Sequence, residues 1–137
     1  MNDRFKFRGK RLDNNQWYYG SYLYLHNASE YDYAGNRKET KKDVHFIIDE
    51  NDINYVVNPE TVGQCTGLKD KNGKLIYEGD IVKQNNTIYS VNWLNGTFCF
   101  KDTLNGENYT VEFVVPEKQE VIGNIYADAH LLEEKEL

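Results

Sequence analysis

The side chains able to do chemistry in this sequence are two cysteines, three histidines and a scatter of carboxylates. A nucleophile, a base and an orienting acid could be drawn from Cys65 or Cys99, from His26, His45 or His130, and from many Asp and Glu residues. No local signature of a cysteine enzyme surrounds either thiol. Cys65 stands in Gln-Cys-Thr and Cys99 between Phe98 and Phe100 of an alternating run, so both read as small buried hydrophobes. His45 has Asp43 and Asp49 close in sequence, but the histidines form neither a His-x-His nor a His-Glu-x-x-His pair, and no metal is expected. Gly63, Gly67, Gly73 and Gly79 lack the Gly-Lys-Ser/Thr ending and the following helix that a phosphate loop requires. Asp70, Glu78 and Asp80 could form an acid–base set only by converging in one pocket, whereas turn and strand-entry roles account for each separately. The expectation is a non-enzymatic protein with no cofactor, with an undetected enzyme built on those three carboxylates as an alternative.

A second constellation is aromatic and basic. Arg4-Phe5-Lys6-Phe7-Arg8 alternates strictly, which in a strand places two rings on one face and three cations on the other. A cationic row also guards an edge strand against aggregation, which accounts for it without any ligand. Trp17 to Leu25 is apolar or aromatic on both alternating sets, Trp17, Tyr19, Leu23 and Leu25 against Tyr18, Tyr22 and Tyr24. Such a strand is covered on both sides or shows one face to a partner. The tyrosines, whose hydroxyls tolerate water, are the expected outer set. Tyr18, Tyr22, Tyr24, Arg4, Lys6 and Arg8 are therefore the candidate interaction surface. It could serve self-association or another protein by strand addition at an open edge, or stack single-stranded nucleic acid. Sixteen basic against 22 acidic residues, a net charge of -6, disfavour the nucleic acid. The charge is uneven, since residues 1–11 are basic and the end, Glu133-Glu134-Lys135-Glu136, is acidic.

Strands must position these residues, because period-2 alternation with β-branched and aromatic residues outweighs any helical pattern. The expected class is mainly β: an N-terminal β region, residues 1–58, packed on a small SH3-like barrel with a short C-terminal helix, residues 59–137. Residues 26–43 lose all periodicity around Ala34-Gly35-Asn36 and read as a long surface loop or ribbon tip. Short strands are expected at Val44–Asp49 and Asn54–Asn58. Pro59, which forces Asn58 from the helical region, marks the boundary. Asn72-Gly73 is the strongest hairpin signal, with φ > 0 expected at both positions. Further strands are expected at Leu75–Tyr77, Asp80–Gln84, Thr87–Leu94, Thr97–Lys101, Tyr109–Val115 and Glu120–Ile125, with Phe98 and Phe100 facing Val91 and Trp93. Asp128 is an available N-cap for a helix carrying Leu131 and Leu132. No apolar run approaches the roughly 18 to 20 residues that span a bilayer. The charged N-terminus lacks the apolar stretch of a secretory signal, so a cytoplasmic protein without membrane contact is expected.

The stretch from Pro59-Glu60-Thr61-Val62-Gly63-Gln64-Cys65-Thr66-Gly67-Leu68 through Lys69-Asp70-Lys71-Asn72-Gly73-Lys74-Leu75-Ile76-Tyr77-Glu78-Gly79-Asp80-Ile81-Val82 closely resembles the signature of the YopX family of phage and prophage proteins. Phe5-Lys6-Phe7-Arg8, Trp17 to Gly20, Val91-Asn92-Trp93 and Glu120-Val121-Ile122-Gly123-Asn124-Ile125-Tyr126 extend the resemblance over essentially the whole chain. It implies a β-rich phage or prophage protein with an SH3-like barrel in the second half, self-association, and no established activity. Cys65 stands where relatives usually carry an aromatic, which weakens any thiol mechanism, and Ala129 where a proline often begins the terminal helix. Within the motif, Thr61, Gly63, Gln64, Gly67, Asp70, Gly73, Glu78, Gly79 and Asp80 have a structural reading: a hairpin closed at Asn72-Gly73 and a sharp turn into the barrel.

Overall fold

Alternating sequence becomes strand almost throughout. The computed structural model describes residues 3–31 and 34–133, and the chain divides into two compact units, Lys6–Val62 and the remainder. The fold is mainly β, and its described helical segments are 3-10 turns of three or four residues.

In the first unit, β1 (Phe7–Lys10), β2 (Trp17–Tyr31), β3 (Arg37–Ile48) and β4 (Asn54–Val56) pair antiparallel in the order β4-β3-β2-β1. Arg8 faces Tyr19 and Lys10 faces Trp17 across β1 and β2. Leu23 faces Phe46, Leu25 faces Val44, and Phe46 in turn faces Val56. Gly20 is demanded by close approach, because a Cβ there would lie 2.0 Å from the Ile48 carbonyl oxygen. The stretch expected as loop or ribbon tip is largely ribbon: β2 continues to Tyr31 and β3 begins at Arg37. The periodicity fails there while the backbone ladder, which needs no apolar side chain, continues. A register shift between Leu25 and Ala28 accommodates Asn27 at φ 53, whose N–H donates to Asp43 Oδ1 at 3.1 Å.

The expected first strand, residues 4–8, is displaced. Asp3–Phe5 is a 3-10 turn and β1 starts at Phe7, so the strict alternation of rings and cations is broken. Arg8 is 5% exposed rather than solvated, its guanidinium 4.5 Å from the Trp17 ring centroid. A planar, weakly hydrated cation tolerates such burial on an aromatic face.

In the second unit, β5 (Gly63–Lys69) and β6 (Leu75–Tyr77) form a hairpin. A five-stranded antiparallel sheet of β7 (Asp80–Gln84), β8 (Thr87–Leu94), β9 (Thr97–Asp102), β10 (Asn108–Thr110) and β11 (Glu120–Asn124) runs in the order β10-β9-β8-β7-β11. Ile76, Val82, Val91 and Phe100 form its solvent-free core. Val91 pairs with Phe100 and Trp93 with Phe98 as expected, the latter rings meeting edge-on at 4.8 Å.

Closure into an SH3-like barrel is not seen, since β10 and β11 stand at opposite ends of this sheet. The strand expected over Tyr109–Val115 stops at Thr110, where a 3-10 turn over Val111–Phe113 and another over Pro116–Lys118 carry the chain away from the ladder. At the hairpin turn only Gly73, not Asn72, has positive φ; Gly73 N–H donates to Asp70 O at 3.0 Å. The expected terminal helix is one 3-10 turn, Ala129–Leu132. Asp128 does not cap it, because its carboxylate instead accepts the Asn124 N–H at 3.1 Å.

Candidate functional site

The residues singled out in the long motif are turned inward on their own backbone. Thr61 Oγ1 accepts the Lys10 N–H at 2.8 Å and donates to Asn58 O at 2.7 Å, closing the turn at Pro59–Thr61. Gly63 leaves room for the Glu78 carbonyl, which would lie 2.6 Å from an added Cβ. Gln64 Nε2 donates to Arg4 O at 2.8 Å, and Gly67, at φ +81, passes over Arg4. Gly79, at φ +90, fits beneath the Tyr126 ring while its N–H reaches Val91 O at 2.8 Å.

The three carboxylates address different backbone segments. Asp70, buried, accepts from Asn72 N–H and Lys74 N–H at 2.9 Å through Oδ1, and from Val121 N–H at 2.9 Å through Oδ2. It thereby ties the hairpin turn to the start of β11. Burial pushes its carboxyl up, but the donors from Val121, Lys74 and Asn72 outweigh burial and hold it below the usual carboxylate range. Asp80 accepts the buried Tyr77 N–H at 2.8 Å, and Glu78 faces the Gln64 N–H at 3.4 Å. An acid–base reading needs a carboxylate free to take a proton near neutral pH. Asp70 is the reverse, held ionised by N–H donors.

The aromatic and basic constellation is brought together in part. Tyr18, Tyr22 and Tyr24 share one face of β2, with His45 and Asp43 on the same face of β3 and Asp49 just past its end. The Tyr18 hydroxyl donates to Asp49, which raises the phenol and lowers the carboxyl. Its ring meets Tyr55 edge-on at 4.2 Å, and Arg11 lies 3.8 Å over Tyr55 while also paired with Asp13. The Tyr22 hydroxyl is hydrogen-bonded to His45 Nδ1, Tyr24 stacks on His45 at 4.7 Å, and His26 pairs with Asp43 at 2.9 Å. No group of three or more His, Cys, Asp or Glu among the described residues is placed to hold a metal ion. Tyr24 is exposed, and Tyr18 and Tyr22 are half-buried. Arg4 is exposed with its guanidinium over Phe5, Lys6 is half-buried, and Arg8 is stacked on Trp17 as described.

The opposite face of the same strands is apolar and also reaches solvent. Cross-strand register places Leu23 and Leu25 of β2, Val44, Phe46 and Ile48 of β3, and Val56 of β4 side by side. None is buried: Leu23 is 39% exposed, Leu25 41% and Val56 41%, and the β3 residues are half-buried. Tyr19, 43% exposed, continues the row. Contiguous apolar surface of this kind marks interaction sites on folded proteins. The Trp17/Tyr19/Leu23/Leu25 set carries this face in the sequence, but in a strand with two large faces the more hydrophobic set is the one expected to be covered.

No helix among the described residues is long and apolar enough to cross a membrane. No curated protein matches the chain. The family model described as YopX protein matches residues 6–133, nearly the full length and including every strand described above. The chain belongs to the YopX family.

Proposed function

We propose that this protein is a non-enzymatic assembly module of a phage or prophage, working in the cytoplasm of the bacterial host, and that its copies associate through the apolar face of β2, β3 and β4. The row of exposed Leu23, Leu25 and Val56 beside half-buried Phe46 carries the reading. The occupant is a second copy. The row from Leu23 to Val56 contains no ionisable side chain, so two faces can meet across a twofold axis without pairing like charges despite the net charge of -6. Sheet faces of this kind pack about 10 Å apart with interdigitating rows. The phage or prophage setting rests on the family resemblance.

A nucleic-acid platform on the N-terminal cations has less support. Arg8 is buried on Trp17 and Arg11 is held by Asp13, which leaves both spent within the fold rather than facing phosphates. Light scattering over a concentration series tests the proposal: an assembly larger than one chain is expected, and Leu23→Glu reduces it to monomer with an unchanged circular dichroism spectrum. A wild-type monomer at every concentration overturns it.

A further inference from the structure

Gln119 is fully buried, and among the described residues neither its side-chain Nε2 nor its Oε1 has a hydrogen-bond partner. Its backbone is satisfied: the N–H donates to Pro116 O at 2.9 Å and the carbonyl accepts the Lys71 N–H at 2.8 Å. The residue is thus anchored where the 3-10 turn over Pro116–Lys118 meets β11 and the hairpin turn after β5. Other buried polar side chains of this unit are matched, Asp70 by three N–H groups, Asp80 by Tyr77 N–H and the Ser90 hydroxyl by Asn92 Nδ2 at 3.0 Å. A carboxamide brings two donors and a carbonyl with two lone pairs, and a buried one left unpaired forfeits its hydration with nothing in return.

We infer that the Gln119 carboxamide is an internal water-binding site. The group is neutral and offers both donor and acceptor, which is the chemistry of water rather than of an ion. The acidic side chains buried in this unit, Asp70 and Asp80, already accept backbone N–H groups and do not call for a cation. With the side chain at 0% exposure the group is reached by nothing much larger than a water, which buried polar groups in folded proteins commonly hold through about three hydrogen bonds. The bound water links the 3-10 turn to the strand that Asp70 fastens, and position 119 is then a polar site rather than an interchangeable core position.

A crystal structure of the full chain at a resolution that shows waters tests this. A water about 3 Å from Nε2 or Oε1 of a buried Gln119 is expected. A carboxamide bonded directly to protein groups, or turned to the surface, overturns the inference. Thermal melting of Gln119→Met supplies the second measurement. With a bound water the variant removes the group that holds it, leaves the water without its carboxamide partner and melts several degrees lower. An unchanged or higher midpoint means the amide was merely unpaired, and contradicts the site.

Discussion

The two units use polar and apolar side chains in opposite ways. From Gly63 onward, buried Asp70 and Asp80 are consumed by backbone N–H groups, and Ile76, Val82, Val91 and Phe100 are sealed from water. In Lys6–Val62, Ile47 and Val57 are sealed, but a row of apolar side chains through Leu23, Leu25 and Val56 is left exposed, while the polar and aromatic set is knitted together by Tyr18 with Asp49, Tyr22 with His45 and His26 with Asp43. The difference teaches where to look for function. The side chains of the most distinctive stretch are spent on its own backbone, and the exposed row on which the proposal rests lies in the less distinctive half.

The largest expected effect breaks the scaffold. Asp70→Ala strands three backbone N–H groups and destabilises by roughly 3 kcal/mol or more, read from urea unfolding. Next, Gly20→Ala drives a Cβ onto the Ile48 carbonyl and costs about 1–3 kcal/mol, because the obstacle is backbone that cannot turn aside. Acid gives a smaller effect with a defined sign. Asp70 has a folded pKa below its unfolded value of about 3.9, so its stabilisation is present above that pH and is lost as pH falls through the folded value. Asp70→Asn therefore flattens the acid limb of stability against pH, and a limb of unchanged steepness would show that Asp70 is not its source. Smallest on stability is Leu23→Glu, within about 0.5 kcal/mol because the side chain is already exposed, while its effect on association is complete.

What could be read in the sequence follows the physics. Strands from Leu75 to Leu94 were legible because alternation, a Gly-containing turn and a strand-entry Asp agree with one another. The Val91–Phe100 and Trp93–Phe98 pairs followed from counting back from Asn95-Gly96, whose φ values of 53 and 79 make the tight turn assumed. The continuation of β2 to Tyr31 and the start of β3 at Arg37 are not legible as strand, since the hydrogen-bond ladder leaves no mark in composition when periodicity is absent. The place of Arg8 was hidden because an alternating strand does not reveal which face is covered, and stacking on Trp17 reverses the usual rule for cations. Inner roles for Asp70 and Asp80 were anticipated as turn and strand entry, but not their burial nor the long-range bond from Asp70 to Val121 N–H. The apolar face required the register of three strands, which only the structure provides.

Trp93, 50% exposed near the tip of the β8–β9 hairpin, is an exposed aromatic of the second unit and hence a direct control. Sedimentation equilibrium of wild type, Leu23→Glu and Trp93→Glu at matched concentrations tests the central claim. The account predicts that wild type and Trp93→Glu associate alike and that Leu23→Glu sediments as a single chain; association that survives Leu23→Glu, or is lost with Trp93→Glu alone, would contradict it.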